Sequence, residues 1–287
     1  MVLCEIREAG LAAASDREDG RRDARALFDC FAHQVDHEIQ DELVSGLMTR
    51  YAAVSRQLKR HNERLEELVR EKVAEVSAAQ MATIYALVRL AESRDDDTGE
   101  HIGRTSAYCR LIAIKFKEAG AHREPIGDAF VENIAQASPL HDIGKVGVPD
   151  AILLKPARLT PEEFEVMKTH VLIGHRTLAS VEKSYPMNAF IRMGMDIALR
   201  HHERWDGSGY PDGLSGMDIP LAARIMALAD VYDALRSSRV YKPGYSHEDS
   251  AALIRKSRGT HLDPLLVDIF EANQRAFCDI FERGAEG

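Results

Sequence analysis

The 287-residue sequence predicts an all-α fold. Residues 21–90 contain no proline and a single glycine, Gly46, and residues of high helix propensity dominate there. Farther along, helical periodicity recurs, and some segments open with a capping signal such as Thr160 followed by Pro161. Strand patterns are almost absent, because residues 143–149 are the one short candidate and are too isolated to build a sheet.

The composition is typical of a globular chain without a membrane span. Apolar residues make up 45% of the sequence and charged residues 29%. The longest uncharged run, residues 76–88, is shorter than the roughly 20 residues that a membrane-spanning helix needs. The N-terminus lacks the apolar stretch of a secretory signal, so we expect a cytoplasmic protein. The net charge of −9 argues against nucleic acid as a partner.

Cysteine and histidine usage favours metal binding through imidazole rather than thiolate. The four cysteines are widely separated and form no CxxC pair, which argues against a disulfide framework and against a cysteine zinc site. By contrast, the sequence contains twelve histidines. Any metal is therefore expected to be bound by imidazole and carboxylate groups.

The front of the chain is predicted to be a loose tail, residues 1–20, followed by a helical region, residues 21–85. One interpretation is a long solvated helix docked on the domain that follows. The other, which we favour, is a parallel coiled coil that forms a homodimer and transmits a signal, because charges of both signs flank a partial heptad seam. That seam comprises Val54, Leu58, Leu65, Leu68 and Val69 and is interrupted by His61 and Lys72.

The rest of the chain is predicted to form a bundle of helices. Each helical pattern carries apolar residues at the spacing of one helix face. The predicted helices are residues 105–118, 129–138, 160–179, 189–201, 221–237, 246–255 and 264–282.

Histidines and aspartates recur at the ends of these helices. The densest group is His141-Asp142-Ile143-Gly144-Lys145, although a His-Asp pair alone is usually a polar surface feature. A carboxylate that follows an apolar run, as Asp230 does, is costly to bury unless it is paired or binds a metal. Five histidines and two aspartates at these helix ends have the composition of a two-metal hydrolytic centre built inside a helical bundle. The seven residues are His101, His141, Asp142, His170, His201, His202 and Asp230.

Three motifs resemble the HD-GYP family, a branch of the HD superfamily of metal-dependent phosphohydrolases. They read HDIGKVGVPD at 141–150, HHERWDGSGYPDGLSG at 201–216 and ADVYDAL at 229–235. The resemblance implies an HD-type helical bundle, with residues 86–287 as the catalytic domain. It further implies a phosphodiesterase of the bacterial second messenger cyclic di-GMP.

The resemblance also implies a ligand set. His101, His141, Asp142 and Asp230 match the residues that define HD hydrolases. Asp142 would bridge to a second metal held by three further histidines, His170, His201 and His202. A third metal would use Asp97, which stands where some family members have a glutamate; the alternative for Asp97 is a helix N-cap. The resemblance implies iron or manganese as the metal.

Substrate contacts follow from the same resemblance. Lys145 matches a lysine that contacts the scissile phosphate, while Arg239 and Lys242 match basic residues that hold the guanylyl phosphates. Gly209, Tyr210 and Pro211 form the named loop of the family. Strong turn signals surround this loop, so a structural role and direct substrate contact are both open.

The expected reaction is in-line attack on phosphorus by a metal-bridging hydroxide, which gives pGpG, GMP or both. Asp142 and Lys145 are the expected catalytic residues, with Lys145 stabilising the developing charge. One alternative is a non-hydrolytic module that binds cyclic di-GMP or a diguanylate cyclase. Another is a hydrolase of a different nucleotide such as cyclic GMP-AMP. The completeness of the ligand set favours the enzyme.

Overall fold

The computed structural model describes residues 18–92, 100–120, 126–186, 188–238 and 243–284. Within these ranges the chain is helical, with no strand and only isolated β-bridges, so the prediction of an all-α fold is confirmed. The α-helices are α1 (Glu18–Glu92), α2 (Glu100–Ala119), α3 (Asp128–Ala137), α4 (Asp150–Leu153), α5 (Pro161–Ser184), α6 (Ala189–Arg200), α7 (Leu221–Arg236), α8 (His247–Lys256), α9 (Pro264–Ala272) and α10 (Gln274–Gly284). Short 3₁₀ helices span Ser138–Leu140, Ile143–Gly147 and Gly216–Asp218.

The chain divides into two compact units, the first ending at Ser77 and the second beginning at Ala78. In the first unit, apolar side chains of α1 such as Leu58 and Leu65 are exposed. The coiled coil, the homodimer and a domain boundary after residue 85 remain predictions. Most of the predicted loose tail, residues 1–20, lies outside the described residues.

The capping signals act as predicted. At the start of α5 the hydroxyl of Thr160 accepts a hydrogen bond from the amide of Glu163, at 3.3 Å. The Glu163 carboxylate in turn accepts one from the amide of Thr160, at 2.7 Å. This reciprocal pair satisfies two donors that the first helical turn leaves open. It fixes where α5, a helix that carries a candidate ligand, begins.

The pattern at residues 264–282, predicted as one helix, forms two. Helix α9 ends at Ala272, and α10 begins at Gln274. Asn273 separates them, because its side-chain amide donates to the carbonyl of Ile269, at 2.8 Å, and its backbone amide donates to Phe270. Such local bonds offer the backbone an alternative to the continued helix.

Helix α7 lies at the centre of the second unit. Every residue from Leu221 to Ala229 is buried, so this part of the helix is covered by other parts of the chain around its whole circumference. Around it pack the aromatic rings of Tyr108, Phe270 and Phe277. A second cluster joins the end of α1 to α2, α5 and α6 through Val88, Ile102, Leu140, Leu178 and Ala198. None of the helices in the described ranges combines the length and apolarity that crossing a bilayer requires.

The segment that contains His141 and Asp142 is pressed against α5. A Cβ atom placed on Gly144 would collide with the carbonyl oxygen of His170 and the amide nitrogen of Gly174. Only glycine allows this approach between two backbones. The contact explains why residues 143–147 form a tight 3₁₀ turn, and it sets the distance between Asp142 and His170.

We expect Gly144→Ala to destabilise the second unit by about 1–3 kcal/mol, because the added methyl group has backbone on two sides and no room to move. Thermal or denaturant unfolding measures the effect. Gly103→Ala is the matched control, since among the described residues nothing beyond the adjoining backbone of its own helix lies within 4 Å of the added Cβ, and alanine favours the helix. Equal stability of Gly144→Ala and wild type would contradict the packing argument.

Candidate metal centre

The seven candidate ligands come together from five parts of the chain. His101 lies in the first turn of α2, His170 in the middle of α5, and Asp230 towards the end of α7. His141 and Asp142 lie between two 3₁₀ helices, and His201 and His202 directly follow α6. Their ligand atoms form two groups, each with all atoms within 4.8 Å of one another. One group is His101, His141 and Asp230, and the other is Asp142, His170, His201 and His202.

Asp142 lies between the two groups. Its Oδ1 is 3.3 Å from Nε2 of His170 and 3.7 Å from Nε2 of His201. Its Oδ2 is 3.3 Å from Nε2 of His141, which belongs to the other group. One carboxylate oxygen therefore faces each group, the arrangement that a bridging ligand requires.

The other group has a similar spacing. Nε2 of His101 lies 3.5 Å from Nε2 of His141 and 3.9 Å from Oδ1 of Asp230. The His101 and His141 side chains are almost fully buried. Nitrogen and oxygen atoms that converge at this spacing leave room between them for a divalent cation.

Several of these polar atoms are buried without a hydrogen-bond partner. They are Asp142 Oδ1, His170 Nε2 and His201 Nε2. Unsatisfied polar atoms are rare in folded proteins, and three that face one another indicate a place for a cation. The residues therefore fit a divalent metal, and the chain has a His/Asp cluster able to hold one.

Backbone carbonyls orient three of the histidines. Nδ1 of His141 donates to the carbonyl oxygen of Ser138, at 2.9 Å. In the same way, Nδ1 of His170 donates to Met167, at 2.8 Å, and Nδ1 of His201 donates to Ile197, at 2.9 Å. Because a carbonyl only accepts, the proton resides on Nδ1 and Nε2 presents a lone pair to the centre.

His101 is oriented differently, by a carboxylate. Its Nδ1 lies 2.8 Å from Oδ2 of Asp233, which is completely buried. Asp233 also receives two hydrogen bonds from the guanidinium of Arg104, at 2.7 and 2.9 Å. Sequence reasoning missed both residues. The available signal was spacing, because Asp233 follows Asp230, and Arg104 follows His101, by one helical turn.

The pKa directions of Asp142, His201 and His202 suit metal binding, whereas that of His141 opposes it. Burial opposes ionisation of Asp142, but Lys145, whose Nζ is 2.9 Å from Oδ2, and His141 outweigh it and hold the pKa well below its usual value. Burial also lowers the pKa of His201, and that of His202 still further. Burial acts in the same sense on His141, yet Asp142 and Asp230 outweigh it and raise that pKa.

The GYP loop, Gly209-Tyr210-Pro211 and the turns around it, is anchored by Glu203, a third residue that sequence reasoning missed. Its buried carboxylate accepts hydrogen bonds from the amides of Asp212 (2.7 Å), Gly213 (3.1 Å) and Leu214 (3.1 Å). A Cβ on Gly209 would collide with the backbone of residues 202–204. The loop, which includes Pro211, is thus held directly against the histidine pair.

Tyr210 is placed over the centre by this loop. Its ring stacks on His202, with centroids 4.9 Å apart and planes at 29°. Burial and the nearby carboxylates of Asp142 and Asp230 raise its pKa, so the phenol stays protonated. Three predicted site residues, Asp97, Arg239 and Lys242, lie outside the described residues.

Comparison with known proteins agrees with these motifs. The family profile described as HD domain matches residues 86–266. Two proteins of Vibrio cholerae serotype O1 are similar to the chain. A "Probable cyclic di-GMP phosphodiesterase" is 46% identical over 230 residues, 80% of this chain and 52% of that protein. A "Cyclic di-GMP phosphodiesterase" is 47% identical over 206 residues, which are 72% of this chain and 42% of that protein.

A third relative, also from Vibrio cholerae serotype O1, is named for a different substrate. This "3'3'-cGAMP-specific phosphodiesterase 2" is 38% identical over 186 residues, 65% of this chain and 33% of that protein. The chain spans about half the length, or less, of these curated relatives. The profile match includes both candidate ligand groups. The predicted resemblance is therefore confirmed, and the chain belongs to the HD domain family.

Proposed function

We propose that the chain is a metal-dependent phosphodiesterase that hydrolyses cyclic di-GMP to pGpG, GMP or both. The observation that carries the proposal is Asp142, which presents one carboxylate oxygen to each of two adjacent ligand groups. The names of the two most similar relatives described above support the choice of substrate. The alternative is a binding module that does not hydrolyse, and the completeness of both groups argues against it.

The two ligand groups would hold two divalent cations, iron or manganese, with a third held through Asp97. Such cations neutralise the charge of a phosphodiester and make water ionise near neutral pH. Neutral imidazoles and an ionised Asp142 are the forms that bind a metal, and the pKa directions of His201, His202 and Asp142 favour those forms.

The remaining side chains would bind and orient the phosphate. Lys145 has its ammonium 2.9 Å from Oδ2 of Asp142, at the candidate centre, and we assign it to the scissile phosphate. Tyr210 offers a protonated hydroxyl as a donor. Arg239 and Lys242 are proposed to hold the guanylyl phosphates. Gly209 and Pro211 shape the loop that carries Tyr210.

The domain organisation is part of the proposal. Residues 86–287 would be the catalytic domain, and residues 21–85 a connector that forms a homodimer. A diguanylate cyclase is a further candidate partner, and the cytoplasm is the expected compartment. These assignments rest on the sequence patterns and on the exposed apolar side chains of α1.

Cyclic GMP-AMP is the second candidate substrate. The 38% identical relative whose name specifies 3'3'-cGAMP favours it. Both molecules share the phosphodiester chemistry and differ in one base, so the metal centre cannot distinguish them. Residues that contact the bases must make this choice, and a direct comparison of the two substrates decides it.

Asp142→Ala should abolish both metal binding and the hydrolysis of cyclic di-GMP, because it removes the carboxylate whose two oxygens face the two groups. Elemental analysis and chromatography of pGpG and GMP measure the two effects. Asp128→Ala, which removes an exposed carboxylate at the start of α3, should change neither. Turnover retained in a metal-loaded Asp142→Ala protein would falsify the assignment.

Asp233→Asn should lower metal affinity roughly 10- to 100-fold, because His101 loses the carboxylate that orients it. Competition with a chelator measures the affinity. The control is Asp263→Asn, which weakens another buried ion pair, that with Arg224 at 2.7 Å. If both variants lose stability but bind metal as wild type does, Asp233 is only structural.

A further inference from the structure

An exposed aromatic side chain lies beside the GYP loop. Phe164, in the first turn of α5, is 46% exposed, whereas Phe116, Phe270 and Phe277 in the core are 0–2% exposed. Its ring meets the edge of Tyr210, with centroids 6.3 Å apart and planes at 83°. One side of the phenyl ring is thus held by the loop, and much of the rest is open to solvent.

A lysine accompanies the two rings. Lys168 follows Phe164 by one turn of α5, and its Nζ lies 5.4 Å from the centroid of Phe164 and 5.5 Å from that of Tyr210. The side chain is 25% exposed and pairs with Glu165 on the same helix. Contacts with two rings and a carboxylate hold the ammonium at the mouth of the site.

The rings form a continuous path to the candidate metal centre. His202 belongs to one ligand group, Tyr210 stacks on His202, and Phe164 packs against Tyr210. Helix α5 supplies both Phe164 and the candidate ligand His170. A phosphate at the centre would therefore place the base of an adjoining nucleoside near Phe164.

We propose that Phe164 and Lys168 form a subsite for a purine base of the substrate. The base stacks on the exposed face of Phe164, and the ammonium of Lys168 faces its edge. Guanine presents two acceptors, N7 and O6, on one edge, whereas adenine presents an acceptor and a donor, so Lys168 favours guanine. This inference rests on the proposed function, because it takes a cyclic dinucleotide as the ligand.

Other occupants of this surface fit less well. A single exposed phenylalanine is common on protein surfaces and by itself means little. Here the ring of Phe164 packs against Tyr210, and the ammonium of Lys168 contacts both rings. Stacking on aromatic rings beside positive charge is how proteins bind the bases of single-stranded nucleic acids.

The first test uses equilibrium binding, which does not depend on turnover. A cyclic dinucleotide carrying one 2-aminopurine reports stacking directly, because the fluorescence of this base falls when it stacks. We expect Phe164→Leu to weaken its affinity roughly 5- to 150-fold and to abolish the fluorescence loss. Phe164→Trp should retain both. Tyr185→Leu, which removes a 67% exposed ring directly after α5, is the matched control and should have no effect.

The second test separates binding from chemistry. Phe164→Leu should raise KM for cyclic di-GMP by a similar factor, with kcat and metal content unchanged. Lys168→Met should narrow the preference for guanine over adenine. Wild-type affinity and fluorescence in Phe164→Leu would overturn the subsite. Binding without any turnover by metal-loaded wild type would overturn the proposed function and leave the subsite supported.

Discussion

The carboxylate of Asp142, which is only 12% exposed, is the constraint on which the rest of the site depends. Burying an ionised carboxylate is costly unless positive charge compensates it. Lys145 supplies part of that charge, and the unpartnered nitrogens of His170 and His201 mark where more is required. Gly144 allows the turn that carries Asp142 to touch the backbone of α5, so a local packing feature sets the spacing of the two ligand groups.

Two physical devices orient the imidazoles. Three histidines use the carbonyl of a residue three or four positions earlier, which the helical backbone supplies without any further residue. His101 lies in the first turn of α2, and Asp233 reaches it from α7 instead. Asp233 is tolerated in the apolar centre because Arg104 neutralises it through two hydrogen bonds. The core helix α7 thereby contributes both a candidate ligand and the support of another.

Local patterns made the fold class and the seven candidate ligands predictable from the sequence. Helix propensity and capping residues act over a few positions, and the motifs place His141 beside Asp142 and His201 beside His202. Asp233, Arg104, Glu203 and the contact of Phe164 with Tyr210 were missed because each depends on residues that are distant in the chain or on backbone amides. The division of residues 264–282 was missed because a single asparagine side chain decides it.

The net charge of −9 and an anionic substrate are compatible because charge is distributed locally. Lys145 lies at the ligand groups and Lys168 at the rim, 5.5 Å from the ring of Tyr210, so cations line the path that a phosphodiester would follow. A cleft that concentrates one sign of charge attracts its ligand whatever the sign of the whole surface. Metals at the candidate centre, together with Lys145, would attract any phosphodiester equally, so selection of the bases falls to the proposed subsite of Phe164 and Lys168.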